Sequence, residues 1–267
     1  MTAIHPTAVV DPKAELGADV HVGPTAVIGP DVVLGDACEV SEGAVIRGPS
    51  RIGTGNVFFP HCVVGADPQD LKYEGETTEL VIGNGNKIRE FVTIHRGTRK
   101  GGGQTVLGDE NLLMACSHVA HDCRLGNNIV LANNVLLAGH IRIEDHANLA
   151  GAAAVHHFTT IGRMAFIGGL TRIVQDVPPF MIMEGNPAKI RGVNAVKLER
   201  LHTPAASIQA LWDAYRRLWK GGEPVGVALE SLLAENDLVD EVAYLCEFLR
   251  RSNEGEHGRH LEAYRNV

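Results

Sequence analysis

Apolar residues along this chain follow neither the alternation of a strand nor the 3.6-residue rhythm of a helix; they return every six positions. Counting from Ile4 in steps of six reaches Val10, Leu16, Val22, Ile28, Leu34, Val40, Ile46, Ile52, Phe58 and Val64 without a miss. A second unbroken run leads from Leu107 through Leu113, Val119, Leu125, Leu131, Leu137, Ile143, Leu149, Val155, Ile161 and Ile167 to Ile173. Ile82, Ile88 and Ile94 bridge the two runs. With 45% hydrophobic residues overall, chance alone would not fill every one of these positions. Glycine often follows the apolar residue, as at Gly17, Gly23, Gly29, Gly35, Gly53, Gly65, Gly126 and Gly162, where a tight corner tolerates no bulky side chain.

This period predicts a parallel β-helix, in which each hexad contributes one short strand and one corner and its aliphatic residue points into a narrow shared core. Three hexads complete a coil, so residues 18 apart stack at about 4.8 Å, the spacing of neighbouring strands. The low aromatic content, 5%, suits a core too thin for rings. A sandwich of short strands would space its apolar residues irregularly.

Two stretches interrupt the repeat. ADPQDLKYEGETTE (66–79) leaves its phase intact, since Val64 and Ile82 are 18 apart, and RGTRKGGGQT (96–105) adds one residue to the frame. Both are expected to project as loops from a rigid scaffold, where functional side chains often gather.

Beyond Ile173 the repeat fades and the chain reads as helical. Thr203 and Pro204 suit an N-cap and a first helical position. Ile208, Leu211, Trp212, Tyr215, Leu218 and Trp219 then form one apolar face that needs a partner, so both tryptophans read as core. GGEP (221–224) ends that helix, two amphipathic segments follow near 225–235 and 238–251, and the terminal EGEHGRHLEAYRNV reads as weakly ordered. The expected organisation is a hexapeptide-repeat domain over residues 1–190, with insertions at about 66–80 and 96–105, then a helical domain over 191–267.

Charge and cysteine usage narrow the function classes. A net charge of −8 argues against a chain that wraps nucleic acid, although a local basic patch could still meet an acidic partner. The five cysteines are odd in number, scattered and without a CxxC pair, which fits a reducing, cytoplasmic compartment. The first residues lack a basic segment leading into an apolar stretch, and no apolar run approaches the ~18 residues of a membrane span. Neither a signal peptide nor a transmembrane helix is expected.

Six of the thirteen histidines lie between residues 118 and 157. His121 and His140 are 19 apart and His140 and His157 are 17 apart, so stacking puts all three near one edge on successive coils, with His118 flanking them. None occupies an inward aliphatic position. Such a column can serve two chemistries. Neutral imidazoles can bind Zn²⁺ with a water completing the site, as in trimeric β-helix carbonic anhydrases. Alternatively, an imidazole titrating near neutrality can act as a general base, oriented by the adjoining Asp122. The absence of a tighter ligand set favours the second.

The words around this column resemble those of the UDP-N-acetylglucosamine O-acyltransferases that begin lipid A synthesis: QDLKYEGE (69–76), IREFVTIHRGT (88–98), GGGQT (101–105), NLLM (111–114), HVAHDC (118–123), LANN (131–134), LAGH (137–140), QDVPP (175–179) and GN (185–186). The similarity covers most of residues 1–200 and, in outline, the helical tail. It implies a left-handed winding of the β-helix and transfer of a 3-hydroxyacyl group from acyl carrier protein to the 3-position of UDP-N-acetylglucosamine. It further implies a homotrimer with active sites between neighbouring subunits, no metal, and no cofactor beyond the carrier-bound acyl donor.

Matched position by position, the resemblance makes His121 the general base with Asp122 beside it, and Gly139 the backbone N–H donor to the oxyanion. Gln69, Asp70, Lys72, His118, His140 and His157 fall at sugar- or phosphate-contacting positions, Asn194 and Arg200 at nucleotide-contacting ones, and Gly169 at the position that limits acyl-chain length, where glycine leaves room for a longer chain. Lys189, Arg191, Arg216, Arg217 and Lys220 are candidate contacts for the acidic carrier protein. Three positions depart from the family pattern: His157 replaces a glutamine, Val196 an acidic nucleotide contact, and Leu201 an arginine. These departures keep open a changed acceptor, such as a 3-amino sugar nucleotide forming an amide. A zinc lyase or a purely structural β-helix stands as the third reading.

Overall fold

A computed structural model describes residues 1–265. Each hexad forms a strand of two to four residues, and every third strand pairs in parallel, giving sheets of eleven, nine and eight strands that close a three-sided prism. Register follows the repeat: Ala3 pairs with His21, Leu113 with Leu131 and Leu137 with Val155. The aliphatic hexad positions from Val22 to Ile173 are buried in one continuous core. Phe58 is also fully buried, so the core is wide enough for a ring at that level. At the N-terminal end, where no further coil covers it, Ile4 remains 48% exposed.

The corners turn through left-handed backbone that recurs at six-residue intervals, as at Asn128 (φ 55°), Asn134 (φ 60°), His140 (φ 61°), His146 (φ 62°), Ala152 (φ 58°) and Phe158 (φ 60°). Most of these residues are not glycine, although L side chains rarely adopt this region. The glycines that follow the apolar position serve another purpose. At Gly35 a Cβ would lie 2.7 Å from the Gly53 carbonyl carbon, and at Gly126 it would overlap the Asp145 carboxylate. These glycines permit close approach of successive coils. The approach lets Asn and Asp side chains accept N–H groups from the preceding coil, as in Asp109 N to Asn127 Oδ1 and Asn127 N to Asp145 Oδ1, both 2.7 Å. Within the prism, Asn56, Asn86 and Asn111 form a second, buried ladder.

The insertions alter the stacking expected from sequence. Val64 pairs with Ile94, and Ile82 pairs with Ile52 in a different sheet, so the 18-residue separation of Val64 and Ile82 is not one coil. It is one hexad plus twelve residues of loop, which preserves the phase because twelve is a multiple of six. The second insertion lengthens the spacing to 25, as in Ile88 with Leu113.

The last sheet ends in an antiparallel pair, Met181–Glu184 with Lys189–Val193, so the boundary expected at 190/191 falls within a strand. Helices α1 (Ala195–Arg200), α2 (Ala205–Lys220), α3 (Val225–Leu233) and α4 (Asp240–Glu254) follow. Leu211, Tyr215 and Leu218 of α2 are buried in a second core with Leu229, Leu245 and Phe180, against which Trp212 and Trp219 pack. Pro204, not Thr203, occupies the cap position of α2, without a side-chain hydrogen bond.

The terminal segment is ordered, contrary to expectation. Residues His260–Tyr264 form a 3-10 turn docked on the last coil, where Asp176 accepts the His260 N–H at 2.8 Å and Arg259 donates to the Val174 carbonyl at 2.7 Å. This docking needs two chain-distant partners, which no local pattern announces. The final two residues of the expected weakly ordered stretch lie outside the described residues.

Candidate active site

The corner between the nine- and eight-stranded sheets carries His121 and Asp122 on one coil, Gly139 and His140 on the next, and His157 and Phe158 on a third. The rings of His121 and His140 meet edge to face with centroids 5.2 Å apart. Below His140 the stacked neighbour is Phe158, at 4.4 Å, while His157 turns towards His156. The column expected from the histidine spacing is thus completed by a phenylalanine. The signal was available: Phe158 is 18 residues after His140.

His121 Nδ1 lies 2.7 Å from Asp122 Oδ2, and His140 Nε2 lies 3.6 Å from the same oxygen. The Asp122 side chain is 1% exposed, but its oxygens are occupied: Oδ1 accepts the Thr98 N–H and Oδ2 accepts the Thr98 hydroxyl, each at 2.7 Å. A carboxylate that accepts at Oδ2 leaves the ring proton of His121 on Nδ1 and a free lone pair on Nε2. Gly139 is glycine for a steric reason, since a Cβ there would stand 2.6 Å from Cε1 and 2.9 Å from Nε2 of His121. Ligand atoms of His121, Asp122 and His140 lie within 4.8 Å of one another, a spacing open to a metal ion as well as to proton transfer.

His118 lies one strand away on the face of the nine-stranded sheet, with Nδ1 2.7 Å from the Thr93 hydroxyl and its ring 5.2 Å from that of His95. Burial, reinforced by His95 and His121, pushes its pKa down to about 4. Burial likewise lowers His95, His140 and His157, opposed at His140 by the Asp122 charge. His95, which the sequence reading passed over, is buried with Nδ1 2.6 Å from the Asp67 carbonyl. Next to this cluster a groove of about 370 Å³ runs between His118, Leu136, Ala154, His156 and Arg172.

The first insertion carries Gln69, Asp70 and Lys72, and the Asp70 charge reaches His140. Arg96 ties the loop down: its buried guanidinium donates to the Gly48 carbonyl at 3.0 Å and the Gly65 carbonyl at 2.6 Å, and pairs with Asp67. One chain does not bring every candidate together. Gly169 lies exposed at the corner between the eleven- and nine-stranded sheets. Asn194 stands at the N-cap position of α1, its buried side chain donating to the Met164 carbonyl at 2.8 Å, and Arg200 is exposed at the end of α1. Of the candidate basic contacts, Arg191, Arg216 and Arg217 are engaged in surface ion pairs with Glu184, Asp213 and Glu235.

Fold and repeat define a hexapeptide-repeat transferase: the family model described as bacterial transferase hexapeptide (six repeats) matches residues 13–48. The model described as UDP-N-acetylglucosamine O-acyltransferase, domain 2, matches residues 176–257. A protein of Halorhodospira halophila named acyl-(acyl-carrier-protein)–UDP-N-acetylglucosamine O-acyltransferase is 47% identical over 96% of this chain and 99% of its own length. The namesake from Synechocystis sp. is 48% identical over 86% of this chain and 83% of its own. The solved structure of LpxA from Acinetobacter baumannii superposes with a TM-score of 0.88 at 40% identity, over 91% of this chain and 95% of that one. The chain belongs to the UDP-N-acetylglucosamine O-acyltransferase family, and its prism is the left-handed parallel β-helix.

Proposed function

We propose that this chain transfers a 3-hydroxyacyl group from acyl carrier protein to the 3-hydroxyl of UDP-N-acetylglucosamine, with His121 as the general base. Family membership carries the reaction class. The observation that carries the base is the 2.7 Å contact between His121 Nδ1 and the buried Asp122 carboxylate, which presents Nε2 as the proton acceptor. As the sugar oxygen attacks the thioester carbonyl, its proton passes to Nε2, and Asp122 stabilises the imidazolium. The tetrahedral oxyanion is met by the Gly139 N–H, which has no acceptor among the described residues. Collapse breaks the C–S bond, and the proton returns from His121 to the departing thiolate of the carrier.

In this reading Gln69, Asp70, Lys72, His118, His140 and His157 serve as sugar and phosphate contacts, Asn194 and Arg200 take the nucleotide, and Gly169 limits the acyl chain. The distribution of these residues over different edges of one prism supports a homotrimer that shares each site between subunits, working in the cytoplasm with acyl carrier protein as its partner. The reaction as written needs no metal or other cofactor. Stoichiometric metal lost together with activity on chelation would redirect the reading to a zinc lyase. Because Val196 stands where an acidic nucleotide contact is usual, a 3-amino acceptor stays as the second reading, and a panel of 3-hydroxy and 3-amino sugar nucleotides separates the two.

The central test is His121→Ala. Turnover with hydroxyacyl carrier protein and UDP-N-acetylglucosamine should fall by about 10²–10⁴-fold with unchanged folding. Full activity in that variant would refute the assigned base.

A further inference from the structure

The carboxylate beside His121 is held by the second insertion rather than by a regular coil. Above Asp122 the usual stacked corner is replaced by residues 96–105, and Thr105 accepts the Asp122 N–H through its hydroxyl at 2.8 Å. Thr98, 5% exposed, contacts both carboxylate oxygens: its N–H donates to Oδ1 and its hydroxyl to Oδ2, each at 2.7 Å. The direction of the hydroxyl is fixed by its other partner, because Thr98 Oγ1 accepts the Gly101 N–H at 3.2 Å and so turns its own proton to Asp122. Gly101 seals the clamp, since any Cβ on it would overlap the carboxylate. One relay therefore runs from Gly101 N–H through the Thr98 hydroxyl and Asp122 Oδ2 to His121 Nδ1.

We infer that Thr98 is a positioning residue for the transfer reaction and that residues 96–105 form a clamp that aims the Asp122–His121 pair. The inference rests on His121 as the base. A buried carboxylate with one anchor at each oxygen has a single orientation; with the hydroxyl removed, Oδ2 keeps His121 alone and the pair can rotate together.

The test compares Thr98→Ala, Thr98→Ser, Gly101→Ala and His121→Ala in the full-length enzyme. Thr98→Ala should lower kcat by about 10- to 100-fold, the equivalent of one charge-assisted hydrogen bond, and leave KM for the sugar nucleotide within about twofold. The acid limb of its kcat/KM profile should move to higher pH, because a carboxylate with one donor fewer holds its remaining partner's proton more tightly. Thr98→Ser should restore both the rate and the profile. Gly101→Ala should lower kcat similarly, and it carries the test should Thr98→Ala fail to fold. Wild-type kcat and pH profile in Thr98→Ala or in folded Gly101→Ala, or a loss that serine does not rescue, would overturn the clamp. An inactive His121→Ala beside an unaffected Thr98→Ala sinks the clamp alone, whereas an active His121→Ala sinks the base assignment and the clamp with it.

Discussion

At the scale of single residues, burial pushes down the pKa values of His95, His118 and His140, which lie around the proposed base. His118 shows the consequence for stability. Its pKa falls from an ordinary 6.5 to about 4, so between these values the unfolded chain binds a proton that the native state resists. Its contribution to stability is fully present above about pH 6.5 and is lost as pH falls towards about 4. The melting temperature should drop across that window, and His118→Gln should flatten the slope. An identical slope in the variant would show that His118 does not govern it. Gly139 makes a separate prediction. Because a Cβ would stand 2.6 Å from the His121 ring, Gly139→Ala should push the ring aside and reduce kcat at least tenfold, with far-ultraviolet dichroism unchanged. Retained kcat would mean that the ring can yield without loss of function.

At the scale of elements, strands of two residues hold because each is stitched to its neighbours above and below, and the asparagine ladder is one of the stitches. Asn86 is fully buried; its amide donates to Asn56 Oδ1 at 2.9 Å and the Gly108 carbonyl at 3.0 Å, and its own oxygen accepts the Asn111 N–H at 2.9 Å. Asn86→Ala would orphan the Gly108 carbonyl and the Asn111 N–H, at a cost of about 1–3 kcal/mol for each group that water cannot reach. The shift in the urea midpoint measures it, and a midpoint unchanged from wild type would mean that water replaces the side chain. The insertions obey the same logic. Each breaks a coil, and the second supplies buried polar anchors for both, Arg96 for the first loop and Thr98 for Asp122.

At the scale of the molecule, the prism has one long apolar core, a helical domain with its own core, and candidate site residues on more than one edge. In the proposed trimer His121 of one subunit works with Arg200 of another. Sedimentation equilibrium should report three times the chain mass of 28.6 kDa. Co-assembling inactive His121→Ala chains with weakened Arg200→Ala chains should restore part of the activity, because some interfaces then carry two intact halves. No recovery on mixing would argue for a site contained in one chain.

The six-residue period was enough, by itself, to name the architecture, the inward residues and the three-hexad coil, because a solenoid repeats one local solution and each repeat contacts only its neighbours. The same regularity suffices to place His121 beside His140, because their separation is within one residue of a full coil. The amphipathic face of α2 was legible for a similar reason, since burial of one stripe is a local pattern. The tertiary structure decided whatever depends on lengths that are not multiples of a coil or on partners remote in the chain. Val64 stacks on Ile94 and not on Ile82, Thr98 reaches Asp122 across an insertion, and Asp176 receives the terminal segment from 84 residues away. Periodicity specifies position only modulo the repeat, and hydrogen-bond partners across an irregular loop are chosen by where the backbone travels, which the repeat does not encode.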